Sequence, residues 1–338
     1  MVSRVFPVVA VDDGHNDTKT AFQPKPDIIK RSRFASIAVS GSQVGMTFNG
    51  DTTGDVYATD NDTYTILPAG NGLDTRTPDY PLSPLNRVLV AHAIYLIHKD
   101  TPEYLKGEYG LVTGLPLREW KSMDVKLRKE KIKAKQHNLA EPVTRVDEQW
   151  ARPVPASQMV VPEAVAAYVY GVESGRVRKG SDVAIIDVGG RTLDIAVITM
   201  NAHNMPELDR ERSQSEDMGV LYIRDQVRQA LIERLQTNQI KESIVDNVML
   251  RGESPIRGEI VNFRDILQDS CRLVSHKMEN LIKKAIGDGM DLDKICFVGG
   301  GVNFVQSLSK KWPHAVMWDI PEYANASGML LLGQQLWH

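Results

Sequence analysis

Cysteine is nearly absent. Cys271 and Cys296 are the only two in 338 residues, which excludes a disulfide scaffold and any multi-cysteine zinc site. Two buried thiols in a reducing compartment is the reading that fits. Long apolar runs are missing too. The best candidate, residues 88–97, is shorter than a membrane span and holds His92. The first eleven residues carry one Arg and run into Asp12 and Asp13, so they are not a secretory signal, and a cytoplasmic location is expected. Neither sign of charge dominates: 40 Lys and Arg face 43 Asp and Glu. That balance excludes coating nucleic acid or anionic membrane by bulk charge, though not a local basic patch. Also lacking are a G-x-x-x-x-G-K-[ST] loop, a strand followed by G-x-G-x-x-G, and a G-x-S-x-G elbow. The eight histidines have no metal-ligand spacing.

What is present is an ordinary globular composition, 42% apolar and 25% charged. The length suits two domains or one large one. Residues 5–11 read as a buried strand and Asp12 to Thr18 as a turn. Residues 34–66 suit a β-meander broken at Gly41, Gly45, Gly50 and Gly54. A Pro- and Gly-rich connection (67–84) leads to a predicted helix at 84–99 and a strand at 108–114. Residues 118–137 hold eight Lys or Arg against three acids. A solvated helix face explains them, and a partner- or filament-contacting surface is the sharper alternative. Strands are predicted across 144–161. Pro162 is then expected to start a helix with Glu163 in its first turn. Strands at 182–187 and 193–200 precede helices at about 218–237, 240–250 and 258–286. The chain ends with a strand at 294–298, a helix at 303–311, a strand near 315–318 and a helix at 322–335. Strands and helices in both halves argue for α/β domains.

An internal echo carries the chemistry. Residues 8–21 (VVAVDDGHNDTKTA) and 183–196 (VAIIDVGGRTLDIA) align at an offset of 175, Asp12 on Asp187 and Gly14 on Gly189. In each, an apolar strand ends at Asp-x-Gly, turns, and resumes as a strand. One copy is weak, because hairpins use Asp and Gly for turn geometry alone. Two copies with a third strand-end cluster, Gly299-Gly300-Gly301, point to phosphate binding, since glycine turns make concave anion sites. Asn16 tolerates left-handed geometry where a further glycine could stand. Two carboxylates would repel bare polyphosphate and make sense with Mg²⁺. Lys19 could place a cation on phosphate or face solvent from its strand.

VDDGHNDTK, IIDVGGRTLD and FVGGG resemble the phosphate-1, phosphate-2 and adenosine motifs of the actin–Hsp70–hexokinase superfamily. VVPEAVAAYVYG (160–171) and YANASGMLLLG (323–333) look like its two interdomain helices, rich in small residues for close crossing. Within it, DDG at 12–14, GLPL at 114–117, the Pro-Glu pair and IIDVGGRTLDI resemble the bacterial ParM/StbA plasmid-segregation family. The resemblance implies an α/β, actin-like fold: two related domains with a nucleotide cleft between them. Domain I would be 1–172 plus 320–338, and domain II 173–319. Asp12, Gly14, His15, Asn16 and Lys19 would surround the β- and γ-phosphates. Gly189, Gly190, Arg191 and Thr192 would form the second phosphate turn. Asp12 and Asp187 would hold Mg²⁺ through water, with Asp187 also near the attacking water. Glu163 matches the acid that positions water for hydrolysis; the helix dipole alone would also favour Glu there. Gly299, Gly300 and Gly301 would lie under the adenosine and Gly219 near the ribose or base. His15 replaces a small hydroxyl residue common in the family and Arg191 replaces Thr. His15 is either a neutral donor to phosphate or a turn residue; Arg191 adds phosphate charge or, as expected, points to solvent.

The implied activity is ATP hydrolysis coupled to head-to-tail filament assembly and plasmid DNA segregation. ATP is the expected nucleotide and GTP the alternative. The expected partners are further copies of the chain and a DNA-bound adaptor of the ParR type, with no direct specific DNA binding and no membrane. A small-molecule kinase of the same superfamily is the competing reading, with Asp187 or Asp194 as general base. A chaperone ATPase would need a client-binding domain after the last helix, and a membrane-tethered division protein would need a terminal amphipathic anchor. The ending GQQLWH is expected to leave no room for either.

Overall fold

The computed structural model describes residues 6–43, 45–46, 52–68, 70, 72–121 and 124–337. The chain forms two compact units, Met1–Arg178 with Tyr323–His338, and Lys179–Glu322.

The first unit is built around strand Val8–Asp13, every residue of which is buried. Its run of Val and Ala matches a strand covered on both faces. It pairs antiparallel with Asp17–Lys25, which pairs in turn with Ile28–Ala35. On its other side it runs parallel to Gly110–Leu115, and that strand runs parallel to Ser157–Pro162. Beside this sheet the meander expected at 34–66 forms part of a second, antiparallel sheet that also takes in Thr144–Arg145 and Trp150–Ala151; Gly50 lies outside the described residues. Helix Pro84–Asp100 serves both sheets, with Val90 and Ile94 in one core and Val88 and Leu89 in the other.

The second unit repeats the main sheet. Strands Val183–Val188 and Leu193–Met200 form the antiparallel pair, Pro206–Leu208 extends it, and Lys294–Val298 and Ala315–Met317 add in parallel. Strand order and directions match those of the first unit. The registers match as well: Asp12 lies opposite Lys19, and Asp187 lies opposite Asp194 at the same offset of 175. The echo in sequence is therefore an echo in topology.

Four local readings are corrected. Pro162 ends a strand instead of starting a helix, which runs Val165–Glu173 and leaves Glu163 ahead of it. The basic stretch is two helices, Leu117–Lys121 and Val125–Ala140. The helix expected from 258 begins at Arg264, because Glu253–Ile256 and Glu259–Asn262 form a hairpin. Its Arg257 and Gly258 have φ of 52° and 91°, as a type I′ turn requires. Residues 302–311 form two short 3₁₀ segments in place of one α-helix.

Helices Val165–Glu173 and Ala324–Trp337 pack together through their small residues. A Cβ on Gly328 would overlap the backbone of Ala166. Gly333 lies on Val8 and Val112, and Gly110 lies under the Trp337 ring, so the last helix seals the first sheet. No helix among the described residues is long and apolar enough to cross a membrane.

Gly328→Ala is expected to lower unfolding free energy by about 1–3 kcal/mol through overpacking. Gly107→Ala, with nothing within 4 Å of the added carbon, is the control. Chemical denaturation of both reads the difference, and equal midpoints would refute the close crossing.

His92 gives a pH dependence. It is buried with its Nδ1 2.8 Å from the Tyr57 hydroxyl and Nε2 3.8 Å from the Asp55 carboxylate. Burial, opposed by Asp55 and aided by Arg145, brings its pKa down to about 4. The unfolded chain, with its ordinary value near 6.5, binds the proton first. Stability is therefore expected to fall as pH drops from about 6.5 towards 4. His92→Asn should flatten that part of a stability–pH profile.

Candidate functional site

The first glycine turn joins the two central strands of the first unit. Asp12 and Asp13 end the incoming strand and both are buried. Lys19, on the outgoing strand, folds back along the turn. Its Nζ is 3.3 Å from the Asp17 carbonyl and 3.7 Å from the Asp12 carboxylate, with its side chain only 11% exposed. That excludes the solvent-facing alternative. A Cβ at Gly14 would meet the Asp17 carbonyl at 2.8 Å, so the tight turn itself demands glycine. Ser36 braces it: its hydroxyl donates to the Gly14 carbonyl and its N–H to the Asn16 carbonyl. The His15 side chain is anchored within this turn. Its Nδ1–H donates to the Thr75 carbonyl at 2.5 Å, the Thr75 hydroxyl returns a bond to the His15 carbonyl, and its ring lies against Tyr80.

Asp13 was not singled out from the sequence, and neither was its partner. Lys135 is buried, with its Nζ 2.7 Å from Asp13 Oδ2 and a second bond to the Gly114 carbonyl. The Asn86 amide donates to the same carboxylate oxygen. Tyr80 is buried nearby; burial first, then the Asp13 charge, pushes its hydroxyl pKa upward. Lys135 belongs to the stretch read as a solvated face, and half of helix Val125–Ala140 is indeed exposed. The available signal was periodicity. Lys135 stands three residues after Ile132 and four before Leu139, on the face that turns inward.

Glu163 follows the third parallel strand at the same end of the sheet. Its N–H donates to the Leu115 carbonyl, continuing the strand pairing by one residue. A Cβ on Gly114 would come within 2.9 Å of Glu163 Oε1. The glycine of GLPL thus makes room for that carboxylate. Asp12 and Glu163 consequently lie at the carboxyl ends of parallel strands of one sheet, with Gly14 on the turn after Asp12 and Lys19 on the strand that leaves it, at the end where open α/β sheets usually bind ligands.

The second unit gathers the remaining residues. Asp187 is the penultimate residue of the incoming strand and is buried. Gly189 N–H donates to the Thr192 carbonyl, and the Thr192 hydroxyl donates to Asp194 Oδ2 at 2.6 Å. Arg191 does not point to solvent as expected. Its side chain is 17% exposed and its Nε lies 3.0 Å from Asp217. Gly219 precedes helix Val220–Leu235 and rests on this turn. Val220 and Leu221 donate their N–H groups to the Gly189 and Gly190 carbonyls, at 3.1 and 2.9 Å. Any Cβ at Gly219 would overlap those peptides. Gly299, at φ of 92°, packs against the Asp187 carboxylate and the Val188 carbonyl, and Gly301 N–H donates to that carbonyl. Gly300 approaches Glu322. The three sequence motifs of this half therefore converge on one turn.

No group of three or more His, Cys, Asp or Glu is arranged to hold a metal among the described residues. Mg²⁺ does not need one, because it is commonly bound by one or two carboxylates with water and phosphate oxygens. Buried Asp12 and Asp187 are donors of that kind.

Comparison with solved structures identifies the architecture. The subunit of a 15-stranded ParM filament from Clostridium botulinum superposes with a TM-score of 0.77 over 98% of this chain and 99% of that one, at 21% identity. The archaeal actin homologue Ta0583 gives 0.77 over 98% and 100%, at 18% identity. The fold is actin-like. The same archaeal homologue in complex with ADP gives a TM-score of 0.75 over 98% and 100%, again at 18% identity. The model of the archaeal actin homologue MreB-like C-terminal family matches residues 185–310. Among curated proteins no sequence matches. The ParM-type resemblance read from the sequence thus has its counterpart in an actin-like structure shared from end to end.

Replacing Lys135 by Met would leave Asp13 buried without its cation. The expected loss is about 3–5 kcal/mol of unfolding free energy, measured by chemical denaturation. A loss under about 1 kcal/mol would mean that the pair does not hold the turn.

Proposed function

We propose that this chain is an actin-like ATPase of the ParM type. It polymerises head to tail with Mg-ATP and moves plasmid DNA through a DNA-bound adaptor of the ParR type. The observation that carries this reading is the duplicated hairpin turn, one in each of two topologically equivalent sheets, in a fold shared over its whole length with a filament subunit. The ADP-bound archaeal homologue supports nucleotide as the ligand.

In this reading Asp12, Gly14, His15, Asn16 and Lys19 handle the β- and γ-phosphates. The backbone of Gly189, Gly190, Arg191 and Thr192 supplies the second anion turn. Lys19, already drawn to the Asp12 carboxylate, neutralises phosphate charge. The Arg191 guanidinium, held by Asp217, acts mainly as a brace for its turn. Asp12 and Asp187 would hold Mg²⁺ through water, and the ion would offset charge on the phosphates. Glu163 orients the attacking water, which adds rate by placing a nucleophile in line. Gly299, Gly300 and Gly301 receive the adenosine, and Gly219 keeps the phosphate turn in place beside it. Head-to-tail contacts are heterologous and propagate into open filaments. Near-neutral net charge is compatible with packing copies together, and the adaptor provides the link to DNA. A cytoplasmic location belongs to the same reading.

Adding Mg-ATP at tens of micromolar protein should raise 90° light scattering and bring the protein into a high-speed pellet. A chain that stays monomeric across nucleotides and salts is not a filament protein. Glu163→Ala should prolong filament lifetime while ATP binding persists, whereas Asp187→Ala should abolish phosphate release. Retained turnover in the Asp187 variant would contradict its role.

A further inference from the structure

The backbone beside Glu163 is unusual. Ala164 has φ of 62° and ψ of −39°, a region that residues with a Cβ avoid. The Val165 N–H donates to the Glu163 carbonyl at 2.7 Å. Together these make a γ-turn of the rare, strained hand, centred on Ala164. Such conformations persist only where the surroundings over-determine them, and they gather at functional sites. What over-determines this one is visible. The Ala164 N–H donates to the Asn325 side-chain carbonyl at 2.9 Å, and both residues are buried. Asn325 is the second residue of helix Ala324–Trp337, fixed in turn by the contact of Gly328 with Ala166.

The peptide joining Glu163 to Ala164 is thus held at both of its polar atoms. Its carbonyl binds Val165 and its N–H binds Asn325. The preceding peptide is also held, through the Glu163 N–H to the Leu115 carbonyl at 3.0 Å. Between them these bonds fix the direction in which the Glu163 side chain leaves the backbone, across the space left by Gly114. An alanine released from the clamp would relax to negative φ and turn the Glu163 carboxylate away.

We propose that Asn325 is a positioning residue. Through the strained turn at Ala164 it aims Glu163, so that the last helix of the chain sets the hydrolytic geometry without touching nucleotide. The inference rests on the assignment of Glu163 to water positioning.

The test is a double-variant cycle on the full chain with Mg-ATP, read as phosphate release at saturating nucleotide together with KM. Asn325→Leu should slow turnover on the order of tenfold to a hundredfold, as small misplacements of a catalytic group do, with KM nearly unchanged. Ala164→Gly alone should keep turnover, because glycine takes positive φ without steric cost. In the Ala164→Gly background the loss caused by Asn325→Leu should shrink, since the clamp has less strain to hold. Equal losses in both backgrounds, an effect on KM alone, or full activity of Asn325→Leu would overturn the proposal. If leucine at 325 prevents folding, Asn325→Ala takes its place in the same cycle. Glu163→Gln separates the two levels: full turnover in that variant removes the reading on which the inference rests. Loss there with none in the Asn325 variants removes the inference alone.

Discussion

The structure turns on the cost of burying carboxylates at the ends of strands. Asp12, Asp13 and Asp187 are all at most 6% exposed, and an ionised group so placed needs compensation worth several kcal/mol. The two units meet that demand differently on the same frame. In the first, cations do it: Lys19 faces Asp12, and Lys135 with Asn86 holds Asp13. In the second, the position matching Lys19 is Asp194, of opposite charge, and the position matching Asp13 is Val188. There the Thr192 hydroxyl donates to Asp194, and Gly299 packs closely against the Asp187 carboxylate. One hairpin geometry thus supports two electrostatic solutions.

Much of this was legible because it is local. A strand ending in Asp-x-Gly constrains its own turn, and repetition at a fixed offset removed the ambiguity of either copy. The long helix at 84–100 and, apart from its start, the one at 264–286 also followed from pattern. What failed were features decided by distant residues. Pro162 looks like the first residue of a helix because its fixed φ suits one. It is instead the last residue of a strand, drawn out by pairing with Leu115. The hairpin at 253–262 was hidden because its I′ turn is Arg-Gly, lacking the Asn or Asp that usually marks such turns. Lys135 was submerged in a run of like charges, and only its place on the inward helical face distinguishes it.

The same holds at the site. Sequence supplied the residue types, and the structure supplies their partners. His15 and Arg191, the two departures from the family pattern, are each engaged by a residue far along the chain, Thr75 and Asp217 respectively. Gly114 and Gly219 are glycines because of Glu163 and the 189–190 peptides beside them. The final helix carries a further dependence. It supplies Trp337 over Gly110 and Gly333 over Val8, so the first sheet is completed by residues more than 300 positions from its opening strand. Such non-local closure is slow to form.

The start of helix Val220–Leu235 has a consequence for the second turn. Its first two N–H groups take up the carbonyl oxygens of Gly189 and Gly190. In a planar trans peptide the carbonyl and the next N–H point opposite ways, and no cis bond is present among the described residues. Tying the two oxygens to the helix therefore directs the N–H groups of Gly190 and Arg191 away from it. The turn acquires a positive face and a negative face as it folds, and the negative one is already spent. The dipoles on the positive face need no reorientation, so their direction is a property of the helix packing behind the loop.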